Sequence, residues 1–79
     1  MNTSRFNNSE LLKKVEQTFN VSIYQDTNYS DQSHNFYRFD VSKCKNSPVI
    51  GKIICMNGKF STSSYNDELL LSIAEFMNN

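Results

Sequence analysis

The chain is poor in the residues that most site chemistry needs. It has one histidine, His34, and two cysteines, Cys44 and Cys55. Two thiols and one imidazole at this spacing do not make a zinc-ligand set. Gly51 and Gly58 are the only glycines, so no Gly-rich loop exists to cradle a phosphate. Catalysis calls for a nucleophile beside a base, or for paired carboxylates in a cleft. The single histidine lies in a polar loop, and neither thiol is near it in sequence. The stretch "DTNYSD", Asp26 to Asp31, starts like a calcium loop. It has no glycine at the sixth position, and Tyr37 stands at the twelfth where glutamate is needed. The expectation is a protein that is not an enzyme and takes no metal or cofactor.

Net charge is also missing. Lys plus Arg is 8 and Asp plus Glu is 8. A nucleic-acid binder usually carries a basic excess, because neutralising phosphates dominates its affinity. A mimic of DNA would need the opposite excess. The composition argues against both. No apolar run approaches the length that crosses a bilayer, and Met1 to Ser9 lack the apolar segment of a secretion signal. A cytoplasmic chain with free thiols and no membrane partner is expected. Its 79 residues are read as one domain, 1–79, with a modest core.

Asparagine and serine are abundant, together roughly a quarter of the chain and above ordinary usage. That bias suits an AT-rich genome, and a fast-evolving phage or mobile element among such genomes.

The pattern of apolar residues gives the elements. A first helix is predicted from about Asn7, capped by Asn7, with Glu10 at its third position and Phe6 stapled to Leu11. Leu11, Leu12, Val15 and Phe19 then fall on one stripe, and Asn20 is a left-handed stop. A strand is predicted over Val21 to Gln25, followed by a long polar loop, Asp26 to Asn35. A second strand spans Phe36 to Ser42, with Tyr37, Phe39 and Val41 on one side. After "KCKNSP" a third strand runs from Val49 to Met56. Asn57-Gly58 marks a hairpin. A three-residue loop with Gly58 in a bulge is preferred over a two-residue turn, because it places Phe60 on the same face as Ile54. The fourth strand, Lys59 to Thr62, is a short edge. A second helix is predicted from Ser64, with Asp67 at its third position and Glu68 beside it. Tyr65, Leu69, Leu70, Ile73, Ala74, Phe76 and Met77 form its apolar arc.

The fold class expected is α+β: a helix, an antiparallel three- to four-stranded meander and a helix, with both helices on one face. The inner face would hold Tyr37, Phe39, Val41, Ile50, Ile54 and Phe60. The outer face would carry Tyr24, Phe36, Arg38, Asp40, Ile53 and Cys55. That face is more apolar than solvated antiparallel sheets usually are, and large exposed apolar patches mark interaction sites. The candidate partner-binding residues are therefore Tyr24, Tyr29, Phe36, Arg38, Asp40 and Ile53. Leu71 joins them because it points away from the helix stripe, between Glu68 and Glu75. The partner would be a host protein or a second copy of the chain.

The order of helix, strands and helix resembles the double-stranded RNA-binding domain. The stretch "VIGKIICMNGKFSTSSYNDELLLSIAEFM" is loosely similar to that family's last strand, loop and second helix. The resemblance implies nucleic-acid binding but carries over no binding residue. The alternative reading, a nucleic-acid-binding domain of that type, would use Lys13, Lys14, Lys43, Lys45, Lys52 and Lys59. The family opens its second helix with lysines that meet phosphates, whereas this chain has Asp67 and Glu68 there. In size and composition the chain also resembles small phage-encoded inhibitors of host enzymes, some anti-CRISPR proteins among them. The functional expectation is an inhibitor or regulator of a host protein, of the anti-defence type.

Overall fold

A computed structural model describes residues 9–62 and 67–79. The expected cap at Asn7, its staple from Phe6, and the expected helix start at Ser64 with Tyr65 lie outside those residues. Helix α1 runs Ser9–Phe19, strands β1 to β4 are Ser22–Gln25, Phe36–Ser42, Val49–Met56 and Lys59–Ser61, and helix α2 is Glu68–Asn78. The four strands form one antiparallel sheet in sequential order. The chain is thus an α+β meander with two helices.

Backbone turns follow from side-chain chemistry. The chain reverses at Asn20, Asn35, Asn46 and Asn57, whose φ values are 55°, 51°, 66° and 52°. Among the described residues every non-glycine with positive φ is an asparagine. Asparagine tolerates this region better than other side chains because its short amide bonds locally. A sequence with two glycines therefore makes its left-handed turns with the residue it has in excess. In helix α2 the sequence pattern puts Asp67 at the third position, and the structure makes it the cap. Asp67 accepts hydrogen bonds from the Leu69 and Leu70 N–H groups at 3.0 and 3.3 Å. A carboxylate there satisfies two orphan donors and favours the helix dipole.

Both helices add to one core on one side of the sheet. Val15 from α1 and Leu70, Ile73, Ala74 and Met77 from α2 join Ile23, Phe39, Val41, Ile53, Cys55 and Phe60. Phe19 and Phe76 meet edge to face between the helices, with centroids 5.5 Å apart. Phe39 and Phe60 lie 6.3 Å apart on the sheet.

The structure corrects the expected face of β3 and the expected form of the hairpin that follows it. In β3, Ile53 and Cys55 are buried against the helices, and Ile54 is turned to the outer side. The cause is a bulge. Val41 pairs with Gly51 but Ser42 pairs with Val49, which leaves Ile50 as an extra residue. Ile50 packs on the core as expected. Simple alternation from Ile50 would also bring Ile54 inward, but the extra residue shifts the phase by one. The β3–β4 connection is likewise the tight two-residue turn. Met56 pairs with Lys59 and Cys55 with Phe60, and Asn57 and Gly58 both have positive φ, the pattern of a type I′ hairpin. Phe60 is still buried, because the residue opposite it is Cys55 rather than Ile54.

Gly51 sits where the bulge meets α2. A Cβ on Gly51 would lie 2.0 Å from Leu70 Cδ1 and 3.0 Å from Cγ and Cδ2. Leu70 is fully buried, so it cannot swing clear. Gly51→Ala should cost about 1–3 kcal/mol by overpacking, and Leu70→Ala about 2–5 kcal/mol by leaving a cavity. Denaturant unfolding of both singles and the double is expected to show that Gly51→Ala costs much less once Leu70 is alanine. Additive effects would mean that Leu70 does not rest on Gly51.

Candidate functional site

The side of the sheet away from the helices is built from three cross-strand rows. Directly opposed residues share a face. Tyr24 faces Asp40, which faces Lys52; Arg38 faces Ile54, which faces Ser61; Phe36 faces Met56, which faces Lys59. Tyr24 and Met56 are 47% and 53% exposed, well above what side chains in a packed layer retain. Phe36, Arg38, Asp40 and Ile54 are half-buried.

The segment 26–35 is ordered by its own polar side chains. Asp26 caps a 3-10 turn at Thr27–Tyr29 and accepts from the Asn28 N–H at 3.2 Å. Ser30 Oγ donates to the Asp26 carbonyl at 2.8 Å and accepts from the Arg38 N–H at 3.1 Å. A second turn, Gln32–His34, is closed by paired backbone bonds between Asp31 and Phe36 at 2.7 and 3.0 Å. Asn35 then accepts from the Asn57 N–H, which ties the loop to the β3–β4 turn. This anchoring carries the Tyr29 ring over the Arg38 guanidinium, 4.3 Å from its centroid. A cation over a tyrosine face is attracted by the ring quadrupole.

Beneath Tyr29, Arg38 lies between two carboxylates. Its Nε is 3.9 Å from Asp26 Oδ2 and 3.8 Å from Asp40 Oδ1. Both separations exceed a hydrogen bond. Arg38 Nε and Asp40 Oδ1 are buried without a hydrogen-bond partner, which leaves polar bonding incomplete at the centre of the face.

The structure therefore gathers Tyr24, Tyr29, Phe36, Arg38 and Asp40 on one side. It does not place Ile53 with them: that side chain is fully buried beneath the helices, for the bulge reason given above. Leu71 is exposed at 40% but belongs to α2, on the opposite side of the sheet. Met56, Ile54, Lys52 and Asp26 are members that sequence reasoning missed. Three of them lie on β3 and follow once its phase is known. Beside Tyr24 the face borders a crevice of about 340 Å³, lined by Glu16, Ser22, Ser42, Lys45 and Ser47 among others. Its polar groups already serve the fold. Glu16 accepts from the Ile23 N–H at 3.1 Å, and Ser42 Oγ and Ser47 Oγ donate to the Cys44 carbonyl at 3.0 and 2.8 Å.

One cluster has the residue types of a catalytic triad. Asp31 accepts from Ser33 Oγ at 2.6 Å and contacts His34 Nδ1 at 2.5 Å. In a triad the serine and the carboxylate engage different ring nitrogens. Here Ser33 also approaches Nδ1, at 3.2 Å, and the His34 side chain is 78% exposed. The cluster is a loop clasp. Among the described residues no group of His, Cys, Asp or Glu could hold a metal ion, and no helix is long and apolar enough to cross a membrane. No family model, curated protein or solved structure matches the chain.

Hydrogen bonds from Ser33 and His34 hold the Asp31 carboxyl below its ordinary value of 3.8, and the nearby imidazole adds to the effect. A depressed value in the folded chain means that the clasp is intact above the ordinary carboxyl range and is lost as pH falls through the folded value. An NMR titration is expected to show the Ser33 amide shifting with a midpoint below 3.8, and Asp31→Asn should abolish that transition. A midpoint at or above 3.8 would contradict the clasp.

Proposed function

We propose that this chain is a protein-interaction module that docks a partner protein against the outer face of its sheet. The observation that carries the reading is a sheet face that no described helix covers and that keeps exposed apolar side chains. Both helices are committed to the other side, and exposed Tyr24, Tyr29 and Met56 ring the Arg38 cluster. Aromatic, methionine and arginine side chains are enriched at protein interfaces, and tyrosine and arginine recur as hot spots. Arg38 and Asp40 lie at the centre of the face as an ion pair at 3.8 Å, with the Tyr29 ring over the guanidinium. The crevice beside Tyr24 provides a recess for a partner side chain. The functional type that fits a chain this small, rich in asparagine and serine, is an inhibitor or regulator of a host protein encoded by a phage or mobile element.

Nucleic-acid binding has less support. The outer face mixes Arg38, Lys52 and Lys59 with Asp26 and Asp40, and α2 opens with Asp67 and Glu68. A phosphate backbone favours neither acidic group.

Burying a side chain such as Met56 contributes about 2 kcal/mol, which is roughly thirtyfold in affinity. In a pull-down from host lysate read by mass spectrometry, the wild type should capture a protein that Tyr24→Ala/Met56→Ala captures far less. The double variant should keep the wild-type melting temperature, since both side chains are exposed. Capture undiminished by the double variant, or lost only with Leu71→Ala, would contradict the reading. A mobility shift of nucleic acid at low salt would favour the alternative, because electrostatic binding is strongest there.

A further inference from the structure

Every open sheet has two edges whose outward N–H and C=O groups lack a neighbouring strand. Here both edges are met by a helix side chain. At β1, the outward Ile23 N–H donates to Glu16 of α1. At β4, Phe60 N–H donates to Asn78 Oδ1 at 2.8 Å, and Asn78 Nδ2 donates back to the Phe60 carbonyl at 2.8 Å. The second arrangement is the fuller one. A carboxamide carries one acceptor and one donor group. Used together on one residue, they reproduce the two bonds that an antiparallel neighbour exchanges with its partner.

We propose that Asn78 is an edge plug: it stands in for a fifth strand and keeps β4 from pairing with a second copy of this chain. The register supports that occupant. Phe60 is opposite Cys55 with its backbone groups turned outward. Two β4 strands related by a two-fold axis through Phe60 would make the same two bonds, each Phe60 N–H to the other's carbonyl. The two plugs act differently. Glu16 only accepts, and its charge repels an incoming strand. Asn78 is neutral and acts by occupying both groups, so its loss removes both bonds from the Phe60 backbone. Its position at the last residue of α2 places it beside an edge strand of three residues.

The test uses the full chain with Asn78→Ala and Asn78→Asp, followed by amide hydrogen exchange and light scattering over a wide concentration range. In the wild type the Phe60 amide should be protected independently of concentration. In Asn78→Ala at low concentration its exchange should rise at least tenfold, with protection regained as a dimer forms on concentration. Asn78→Asp keeps the acceptor for the Phe60 N–H, loses the donor to the Phe60 carbonyl and adds a charge, so it should stay monomeric with the Phe60 amide protected. A folded Asn78→Ala chain with wild-type protection at Phe60, or one that stays monomeric at every concentration, would overturn the proposal. So would Asn78→Asp that dimerises or loses that protection, an outcome readable even if the alanine variant does not fold. None of these readouts depends on a partner protein.

Discussion

The bulge at Ile50 sets the phase of the central strand, and the rest of the sheet follows it. β3 pairs with β2 on one side and β4 on the other, so its phase decides what both neighbours must match. Its sequence, "VIGKIICM", is apolar at nearly every position and does not choose a face by alternation. The extra residue lets Ile50, Ile53 and Cys55 all reach the core, which an unbroken strand would forbid. It also brings the backbone at Gly51 under Leu70, where no side chain fits. With that phase, Phe60 needs the tight Asn57-Gly58 turn to face inward opposite Cys55.

The limits of the sequence reading trace to the same place. Helix α1, its stop at Asn20, the bounds of β2 and β3 and the order of elements were legible, because helical stripes, alternation in β2 and turn residues are local signals. The bulge was not, because it is set by how β3 registers against β2 and how Leu70 packs on it, and both are tertiary. The preference for a looser hairpin came from assuming Ile54 inward, so one wrong phase produced two errors. At the candidate site, the residues on β1 and β2 and Tyr29 of the loop were found and Asp26 of the loop was not, while every miss on β3 and the misplacement of Ile53 came from the phase. Leu71 was set apart by helical projection, which cannot tell which side of the sheet a helix will cover.

The polar residues supply what a small core does not. Asparagines make the left-handed turns, Asp26, Ser30 and Asp31 shape the 26–35 segment, and Glu16 and Asn78 meet the sheet edges. With the edges occupied and the helices on one side, the outer face is the sheet surface that no described helix covers, and it is the face proposed here for recognition by side chains. Strand addition, the common way to extend a sheet with a partner, would have to displace a bond already made.

The most direct test of this account is a solvent relaxation measurement on methyl groups, using a soluble paramagnetic chelate and a dilute sample. The expected result is strong broadening of the Met56 methyl, weaker broadening of Ile54, and none of Ile53. Broadening of Ile53 with protection of Ile54 would show that β3 has the opposite phase, and the candidate face would have to be rebuilt.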